Sequence, residues 1–261
     1  MTTHPAGLDP DDVRLAADLV TSAGRLAARM RESGVTSTRK TSVTDIVTSA
    51  DHAAEELVTD RLAAERPGDG VLGEEGAHGV GTTGRRWVID PVDGTFNFAS
   101  GLPGWTSAVG LVAGEEMLLG AIYHAGSDTV WVGGPGVRSA RNGILLPDLP
   151  DRELAATSLA TYLHPTRFFV PDLVEPFGAL VRSSATLRMF GCGSLELVRV
   201  AEGALGLYAH HSAPPWDWLP GAAIVRGAGG HTELVTHRGY TWHLAGSRRA
   251  ASDARAALTG A

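Results

Sequence analysis

Apolar residues in the first quarter of the chain recur at the spacing of helices. Over residues 9–30, Val13, Ala16 and Val20 follow this spacing, and an aspartate that can cap the helix stands at the start. A second helix is predicted over residues 49–66, where a Pro-Gly pair stops it. The pattern therefore predicts that the chain opens with two helices.

Short apolar runs separated by turn residues follow these helices. Residues 71–73 and 86–90 are predicted to form short strands. Residues 105–113, 117–124 and 129–133 predict a meander of strands, with an Ala-Gly and a Ser-Asp pair at the turns. The first half of the chain is therefore predicted to combine helices with a sheet.

A segment rich in glycine and proline separates this region from the rest of the chain. Residues 133–151 are predicted to form a linker or a loop-rich crossing between two halves. Beyond it, helical and strand-like segments alternate, which indicates a mixed α/β second half. These segments are residues 154–159, 173–182, 186–190, 194–202, 205–209 and 216–227.

The composition is that of an ordinary soluble globular protein, with 43% apolar and 20% charged residues among 261. The net charge of −7 argues against bulk attraction to nucleic acid or to anionic membranes. Cys192 is the only cysteine, so an internal disulfide is excluded. Because the first dozen residues lack signal-peptide features and no apolar stretch could span a bilayer, we expect a cytoplasmic protein without a membrane or nucleic-acid partner.

The stretch WVIDPVDGTFNF at residues 87–98 holds the first candidate chemistry. Its apolar start leads directly into Asp90, and a buried carboxylate is costly unless it is paired or holds a metal. Asp93 follows a stiffening proline, and Thr95 could begin a helix whose free N–H groups form an anion site. Two carboxylates beside backbone donors can hold a hard cation and a phosphate. The alternative is an ordinary Pro-Asp-Gly turn between strands.

Three further segments carry acids, and each has a simpler interpretation by itself. Residues 72–75, LGEE, place two glutamates at the end of a short apolar strand, where solvated loop acids are common. Residues 44–51, TDIVTSAD, precede a helix, so N-capping explains their acids and hydroxyls equally well. Capping also explains Asp217, which follows Trp216 before the apolar helix at residues 216–227.

Taken together, these segments resemble the inositol monophosphatase family of Mg²⁺-dependent, lithium-sensitive phosphomonoesterases. The resemblance runs from Lys40 to about Gly230, and the order and rough spacing of the segments agree with the family pattern. The segments that carry it are Lys40 with residues 45–51, residues 73–75, residues 90–98, residues 216–217 and residues 228–230.

The resemblance implies a fold, an activity and an assembly. The fold is the layered αβαβα sugar-phosphatase fold of mixed α+β class, with an antiparallel N-terminal sheet and a mixed C-terminal sheet. Residues 1–145 would form a half that carries most metal ligands, and residues 146–261 would supply Asp217 and a substrate-facing loop. The implied activity is hydrolysis of a small phosphorylated metabolite by a metal-activated water, in a homodimeric enzyme.

The resemblance also implies a set of metal ligands. In the family, the positions matching Glu74, Asp90 and the carbonyl of Val92 hold one Mg²⁺ ion. The positions matching Asp90, Asp93 and Asp217 hold a second ion, so that Asp90 bridges the two. Two or three ions per site and inhibition by lithium are therefore expected, and oxygen ligands suit Mg²⁺.

Catalytic and phosphate-binding roles follow from the same resemblance. The positions matching Asp51, Thr95 and Glu74 are catalytic, because they orient and activate the attacking water. The backbone N–H groups of Gly94 and Thr95 are expected to bind the phosphate.

The remaining implied positions face the substrate or the rim of the site. Gly193, Ser194 and His210 are expected to contact the substrate. Lys40 and Glu75 match positions near a lid and a third metal ion, and a surface lysine on a loop is an equally good interpretation of Lys40.

The nature of the alcohol stays open because His210 stands where inositol-cleaving relatives carry a glutamate. A neutral imidazole accepts one hydrogen bond but lacks the charge and second oxygen of a carboxylate. The alternatives are therefore a histidinol-phosphate phosphatase or another nucleotide or sugar-phosphate phosphatase. An alternative of another class is a catalytically idle regulatory binding protein with the same fold.

Overall fold

A computed structural model describes residues 7–34, 37–39 and 46–260 of the chain. Lys40 and the aspartate at position 45 lie outside these residues. The helices are α1 (Asp12–Ser33), α2 (Ser49–Glu65), α3 (Thr95–Ala99), α4 (Pro171–Ser183), α5 (Gly193–Ala201), α6 (Pro215–Gly227) and α7 (Arg248–Thr259). The strands are β1 (Ser37–Arg39), β2 (Ile46–Thr48), β3 (Gly70–Gly73), β4 (His78–Gly79), β5 (Arg85–Asp93), β6 (Thr106–Ala113), β7 (Glu116–His124), β8 (Thr129–Gly134), β9 (Val137–Arg141), β10 (Ile144–Leu145), β11 (Ser158–Thr161), β12 (Thr186–Arg188), β13 (Leu207–His211), β14 (His231–His237) and β15 (Tyr240–Gly246).

The first large sheet has eight strands in the order β10-β9-β8-β7-β6-β5-β3-β4. Its neighbours are antiparallel except for β3 and β5, which pair in parallel. The predicted antiparallel character therefore holds for every pair of this sheet but one. A parallel pair arises because the chain leaves β3, adds the short β4 at the sheet edge and returns beside β3 to begin β5.

The second large sheet has five strands in the order β12-β11-β13-β15-β14. Strand β11 is parallel to both β12 and β13, whereas the β13-β15 and β14-β15 pairs are antiparallel. This sheet is therefore mixed, as predicted.

Helices cover both sheets and separate them from each other. Helices α1 and α2 pack on the outer face of the first sheet, and α4 and α7 pack on the outer face of the second. Helices α5 and α6 lie between the two sheets, where their apolar side chains share one core with inward-facing residues of both. The order of layers is αβαβα, so the predicted fold class is confirmed.

Helix α6 lies unusually close to the first sheet because glycines face it. A Cβ atom added to Gly120 of β7 would lie 1.9 Å from the carbonyl oxygen of Pro220 in α6. A Cβ atom on Gly110 of β6 would lie 3.3 Å from the Pro220 nitrogen. Only residues without a side chain permit this approach, which brings the first turn of α6 toward the strands that carry the acids.

Two regions differ from the pattern-based prediction. Residues 133–151, predicted as a linker, contain the hairpin of β9 and β10, whose turn holds Asn142 (φ 48°) and Gly143 (φ 77°) in left-handed conformations. The glycines and the turn residues of this hairpin look like a loop in the sequence. The predicted strand over residues 86–90 continues to Asp93, with a register shift that accommodates Pro91 between Asp90 and Asp93.

No helix in the described ranges is long and apolar enough to cross a membrane. The division of the chain at residues 145 and 146 stays a prediction.

A buried ion-pair network joins α1 and α2 to the first sheet. The Asp12 side chain is fully buried, and its carboxylate lies 2.8 Å from Nε of Arg66 and 2.9 Å from Nη1 of Arg85. Arg85 also pairs with Asp69 at 2.7 Å, and Asp69 accepts a hydrogen bond from Nε1 of Trp87 at 2.9 Å. Removing Asp12 would take from Arg66 its close counter-charge and from Arg85 one of its two.

We expect Asp12→Ala to lower the free energy of unfolding by about 3 kcal/mol, because breaking a buried ion pair is strongly destabilising. Urea denaturation of the two proteins measures this difference. The neighbouring Asp11→Ala is a matched control, since that side chain is 71% exposed and lies 3.9 Å from its nearest cation. Equal effects of the two substitutions would contradict the structural role of the network.

Candidate active site

The parallel pairing of β3 with β5 brings two acids side by side. In this register Gly73 is the partner of Ile89, so Glu74 and Asp90 are the next residues of two neighbouring strands. The backbone N–H of Glu74 donates to the carbonyl of Ile89 at 3.1 Å, which keeps the strands together at this point. Since strands of a parallel pair end at the same edge, Glu74 and Asp90 face the same space.

The segment after Asp90 turns sharply into α3. Gly94 has φ 87°, a left-handed conformation, and a Cβ atom there would lie 2.9 Å from the carbonyl oxygen of Gly104. Helix α3 then begins at Thr95, as predicted. The backbone N–H groups of Gly94 and Thr95 belong to the first turn, where N–H groups have no partner inside the helix.

Helices from the second half of the chain complete this acidic cluster. The backbone N–H of Ser194 at the start of α5 donates to Oδ2 of Asp93 at 2.5 Å. Asp217 lies in the first turn of α6, close enough to Asp90 that each carboxyl group affects the pKa of the other. Four predicted ligands are therefore brought together from three elements: Glu74 follows β3, Asp90 and Asp93 lie in β5, and Asp217 lies in α6.

Burial and mutual repulsion shift the protonation of these acids. Burial is the largest cause that raises the pKa of Asp90, and the charges of Glu74, Asp93 and Asp217 raise it further. The pKa of Asp217 is raised by burial and then by Asp93 and Glu74. Burial also raises the pKa of Asp93, against the hydrogen bond from Ser194. Without a cation, the cluster therefore retains protons that isolated carboxyl groups would lose.

Asp51 and Thr95 lie close together at the side of this cluster. The hydroxyl oxygen of Thr95 is 3.3 Å from Oδ1 of Asp51 and 2.8 Å from the carbonyl oxygen of Val92. The other oxygen of Asp51 accepts from the backbone N–H of Thr48 at 2.9 Å and from its hydroxyl at 2.5 Å. The capping interaction that the sequence suggested for this segment is therefore present. It fixes Asp51 so that its second oxygen faces Thr95. Burial raises the pKa of Asp51.

The donor set is suited to a hard cation. All the acids contribute oxygen atoms, and Oδ1 of Asp90 is buried without a hydrogen-bond partner. Such an orphaned carboxylate oxygen is costly unless something positive meets it. Within residues 7–34, 37–39 and 46–260, however, no group of three His, Cys, Asp or Glu side chains is arranged to hold a metal ion directly. The carboxylates are neighbours, and a cation would have to draw them closer.

The predicted substrate residues lie at the start of α5 and on β13. A Cβ atom added to Gly193 would be 3.9 Å from Oδ2 of Asp93 and 3.3 Å from the hydroxyl oxygen of Tyr208. The ring of His210 stacks near that of Tyr208, with centroids 6.2 Å apart. Burial lowers the pKa of His210 to about 3, so its imidazole is neutral. Gly193 and Ser194 therefore border the acids, and His210 lies two residues beyond Tyr208 on β13.

Of the two residues predicted at the rim, only Glu75 is described by the structure. Its side chain is partly buried, and its charge contributes to raising the pKa of Asp51. The placement of Lys40 is outside the described residues.

Glu55 is a residue of this site that the sequence analysis missed. It is 5% exposed, and its two carboxylate oxygens accept from the backbone N–H groups of Glu75 at 2.9 Å and Ala77 at 2.8 Å. Glu55 thereby holds the turn that carries Glu74. A signal was present, because Glu55 follows Asp51 by four residues and so lies on the same face of α2.

Two further side chains hold the turn that precedes α5. Nδ2 of Asn97 lies 2.8 Å from the carbonyl oxygen of Phe190 and 2.7 Å from that of Gly104. Oε1 of Glu196 accepts from the backbone N–H of Phe190 at 2.7 Å. These bonds fix the start of α5 relative to α3. Asn97 belongs to the recognised acidic segment, whereas nothing in the spacing of Glu196 indicates its role.

Comparison with known proteins identifies the family of the chain. The sequence model of the inositol monophosphatase family matches residues 9–260. The chain belongs to the inositol monophosphatase family. The predicted family and the predicted class of enzyme, a phosphoric monoester hydrolase, are thereby confirmed.

Individual family members show similarity over most of the chain. The inositol-1-monophosphatase SuhB of Mycobacterium tuberculosis is 35% identical over 211 residues, which cover 76% of this chain and 72% of that protein. The histidinol-phosphatase of Mycobacterium tuberculosis is 34% identical over 194 residues, which cover 70% of this chain and 72% of that protein. The crystal structure of inositol monophosphatase II from Staphylococcus aureus has a TM-score of 0.79 at 28% identity, over 93% of this chain and 91% of that one.

We expect Glu55→Gln to lower kcat by about tenfold, because an amide group that both donates and accepts cannot hold two backbone N–H groups as a carboxylate does. Steady-state phosphate release measures the effect, and the Mg²⁺ concentration for half-maximal activity should rise with it. Glu56→Gln is the matched control, because that side chain is exposed on the same helix. If kcat and the Mg²⁺ requirement of Glu55→Gln equalled those of Glu56→Gln, Glu55 would be only a structural residue.

Repulsion within the acidic cluster predicts that Asp90→Asn stabilises the metal-free protein. A raised folded-state pKa means that stability is fully present below the ordinary carboxyl pKa of about 4 and is lost as pH rises through the raised value. At pH 8 without Mg²⁺, the variant should therefore gain about 1 kcal/mol, or roughly 3 °C in Tm.

Thermal unfolding at several pH values, with and without Mg²⁺, tests this expectation. Added Mg²⁺ should raise the Tm of the unmodified protein by mass action and should have little effect on Asp90→Asn. Asp60→Asn, an exposed position on α2, is the control. A lower Tm for metal-free Asp90→Asn than for this control would argue against repulsion as the dominant effect.

Proposed function

We propose that this chain is a Mg²⁺-dependent phosphomonoesterase that hydrolyses a small phosphate monoester, as inositol monophosphatases do. The observation that carries the proposal is the partnerless, buried Oδ1 of Asp90 among Glu74, Asp93 and Asp217. A group of acids with raised pKa values has a functional reason when a cation neutralises it. A regulatory protein with a disused site would have no need to retain so costly a cluster.

The ligands of Mg²⁺ in this proposal are all oxygen atoms near Asp90. Glu74, Asp90 and the carbonyl of Val92 would hold one ion, and Asp90, Asp93 and Asp217 would hold a second. Bound Mg²⁺ supplies charge neutralisation for the phosphate and lowers the pKa of a coordinated water. Two or three ions per site and inhibition by lithium follow from the family and are part of the proposal.

The protein's own groups orient the attacking water and the phosphate. In this proposal the Thr95 hydroxyl, whose oxygen lies 2.8 Å from the Val92 carbonyl oxygen and 3.3 Å from Oδ1 of Asp51, donates its proton toward Asp51 and accepts a hydrogen bond from the attacking water. Glu74, which follows the neighbouring strand β3, would help to activate the same water. The backbone N–H groups of Gly94 and Thr95 would bind the phosphate oxygens, since first-turn N–H groups attract anions.

The alcohol part of the substrate would lie against the second half of the chain. Gly193 offers backbone without a side chain beside Asp93, and Ser194 and His210 flank this position. Among the relatives, the staphylococcal enzyme has been solved with bound inositol monophosphate and with bound 2′-AMP, and one mycobacterial relative is a histidinol-phosphatase. Inositol, nucleoside and histidinol phosphates are therefore the candidate substrates.

The surface beside the site supports a proposed homodimer. Phe96, Leu102, Met189 and Phe190 are large apolar side chains with 43–49% of their surface exposed. Phe190 is linked to α3 through Asn97, so these residues lie on adjoining segments. Exposed apolar groups of this kind often mark an interface. A cytoplasmic location, the two-part domain division and the rim roles of Lys40 and Glu75 complete the proposal.

Phosphate release with Mg²⁺ from a panel of monoesters tests the proposed function. The panel contains inositol 1-phosphate, histidinol phosphate, 2′-AMP, fructose 1,6-bisphosphate and glycerol 2-phosphate. We expect turnover that requires Mg²⁺ and that falls at least about 100-fold in Asp90→Asn, because a central ligand and its charge are lost. Asp60→Asn should retain full activity.

Two results would contradict the proposal. The first is equal activity of the Asp90→Asn and Asp60→Asn variants. The second is the absence of both turnover and calorimetric Mg²⁺ binding, which would favour the regulatory binding protein.

A further inference from the structure

Five aromatic side chains form a continuous cluster at the end of the second sheet, here called the aromatic wall. Tyr208 and His210 alternate along β13 with Leu207 and Ala209, which pack into the outer core. Tyr208 instead packs into the core between the two sheets, so His210, two residues later, lies on the same inter-sheet face. The members of the wall are Tyr162, Tyr208, His210, Trp218 and His243.

The wall begins at the acidic cluster. The Tyr208 hydroxyl oxygen is 3.3 Å from the position of a Cβ atom on Gly193, and that position is 3.9 Å from Oδ2 of Asp93. Along an extended strand, two residues advance about 7 Å, so His210 lies roughly that much further from the acids. A phosphate bound at the acids would therefore have its alcohol group beside the wall.

The rings of the wall are ordered relative to one another. His210 is nearly parallel to Tyr162 (12°) and to Tyr208 (24°), with centroids 6.1 and 6.2 Å apart. Trp218 stacks at 25° to Tyr208 and meets His243 edge-on at 5.0 Å. Four of the rings, Tyr162, His210, Tyr208 and Trp218, thus form a row of near-parallel neighbours, and Tyr162 and His210 at its outer part are only partly buried. A planar group can continue such a row.

The wall is uncharged but has polar atoms without partners. Burial lowers the pKa of His210 to about 3 and also lowers the pKa of His243, so both imidazoles are neutral. Nδ1 of His210 and Nδ1 of His243 are buried and have no hydrogen-bond partner, and His243 is only 8% exposed. The charge of Arg167 contributes to lowering the pKa of His211, the chain neighbour of His210, although burial is the larger cause.

We propose that the aromatic wall selects phosphate esters of alcohols that carry a planar, uncharged nitrogen heterocycle, as nucleoside monophosphates do. The proposal rests on the proposed phosphatase function and adds the class of its leaving group. The heterocycle extends the row at its outer, partly exposed part, against the rings of Tyr162 and His210.

The same features disfavour the other two candidate alcohols. A polyol such as inositol needs acceptors for several hydroxyl groups, and the wall presents ring faces and no carboxylate to it. Histidinol also carries a heterocycle, but its ammonium group finds no carboxylate among the rings of the wall. A neutral heterocycle avoids both difficulties.

The ratio of kcat/KM for 2′-AMP to kcat/KM for inositol 1-phosphate tests the proposal. We expect this ratio to exceed 10 in the unmodified enzyme, because stacking of a base on aromatic side chains favours binding by roughly that factor or more. Tyr162→Ala and His210→Glu should each reduce the ratio about tenfold. His237→Glu, on the edge strand β14, and Phe169→Ala, 88% exposed, are the matched controls and should leave it unchanged.

Binding of the free alcohols provides a second measurement that needs no turnover. Adenosine should bind the unmodified protein more tightly than myo-inositol in calorimetry, and Tyr162→Ala should remove the difference. Thermal unfolding of each variant shows that it is folded.

The outcomes separate this proposal from the one on which it rests. A ratio below 1 in the unmodified enzyme, or a ratio unaffected by both wall substitutions, would overturn the role of the wall while leaving the phosphatase intact. Failure to hydrolyse any ester, including the ringless glycerol 2-phosphate, would instead count against the phosphatase, and the alcohol-binding measurement would then decide on the wall. Equal affinity of the unmodified protein for adenosine and myo-inositol would reject the proposed role of the wall.

Discussion

The crowding of buried carboxylates around Asp90 is the constraint on which the rest of the structure depends. Like charges in a poorly solvated space repel strongly, so the protein retains protons there or takes up a cation. Every neighbouring feature reduces this cost in some way. The first N–H groups of α5 meet Asp93, the capping interaction with Thr48 fixes Asp51, and one oxygen of Asp90 is left for a positive partner.

The architecture holds these acids close despite their repulsion. The parallel pairing of β3 and β5 fixes the spacing of Glu74 and Asp90 through backbone hydrogen bonds. The contact of Gly120 with α6 lets the helix that carries Asp217 approach the first sheet. Such rigid supports matter because ligands that could move apart would relax the repulsion and lose the site. The repulsion therefore lowers the stability of the metal-free protein, and in return the acids are already in position for a cation, as is common in active sites.

The two halves of the chain contribute different parts of the proposed reaction. The first sheet and α3 supply the groups around phosphate and cation, and their residues agree with the family pattern. The second sheet supplies the surface for the alcohol, and there the chain departs from the pattern at His210. A fold of this kind can keep one phosphate chemistry and vary the substrate through a few strand positions, because the two sets of residues lie on different layers.

The sequence by itself determined the local features of this protein. Helices α1 and α2, the turn into α3 and the candidate ligands from Glu74 to Asp217 follow from short motifs and from periodicity, and these motifs also indicated the family. Local signals suffice there because each depends on residues a few positions apart. The N-capping interpretation of residues 44–51 was likewise correct where the structure describes them.

Only the tertiary structure decided which distant residues meet. The sequence analysis missed the hydrogen bonds from Glu55 to the turn after β3. It also missed the β9-β10 hairpin, the β14-β15 hairpin with α7, and the aromatic wall. Tyr162 and Trp218, for example, are 56 positions apart in the chain and join one cluster only because β11, β13 and α6 pack together. Hydrophobic periodicity specifies which face of an element is buried but carries no information about its partner, and the partner is chosen by packing of the whole domain.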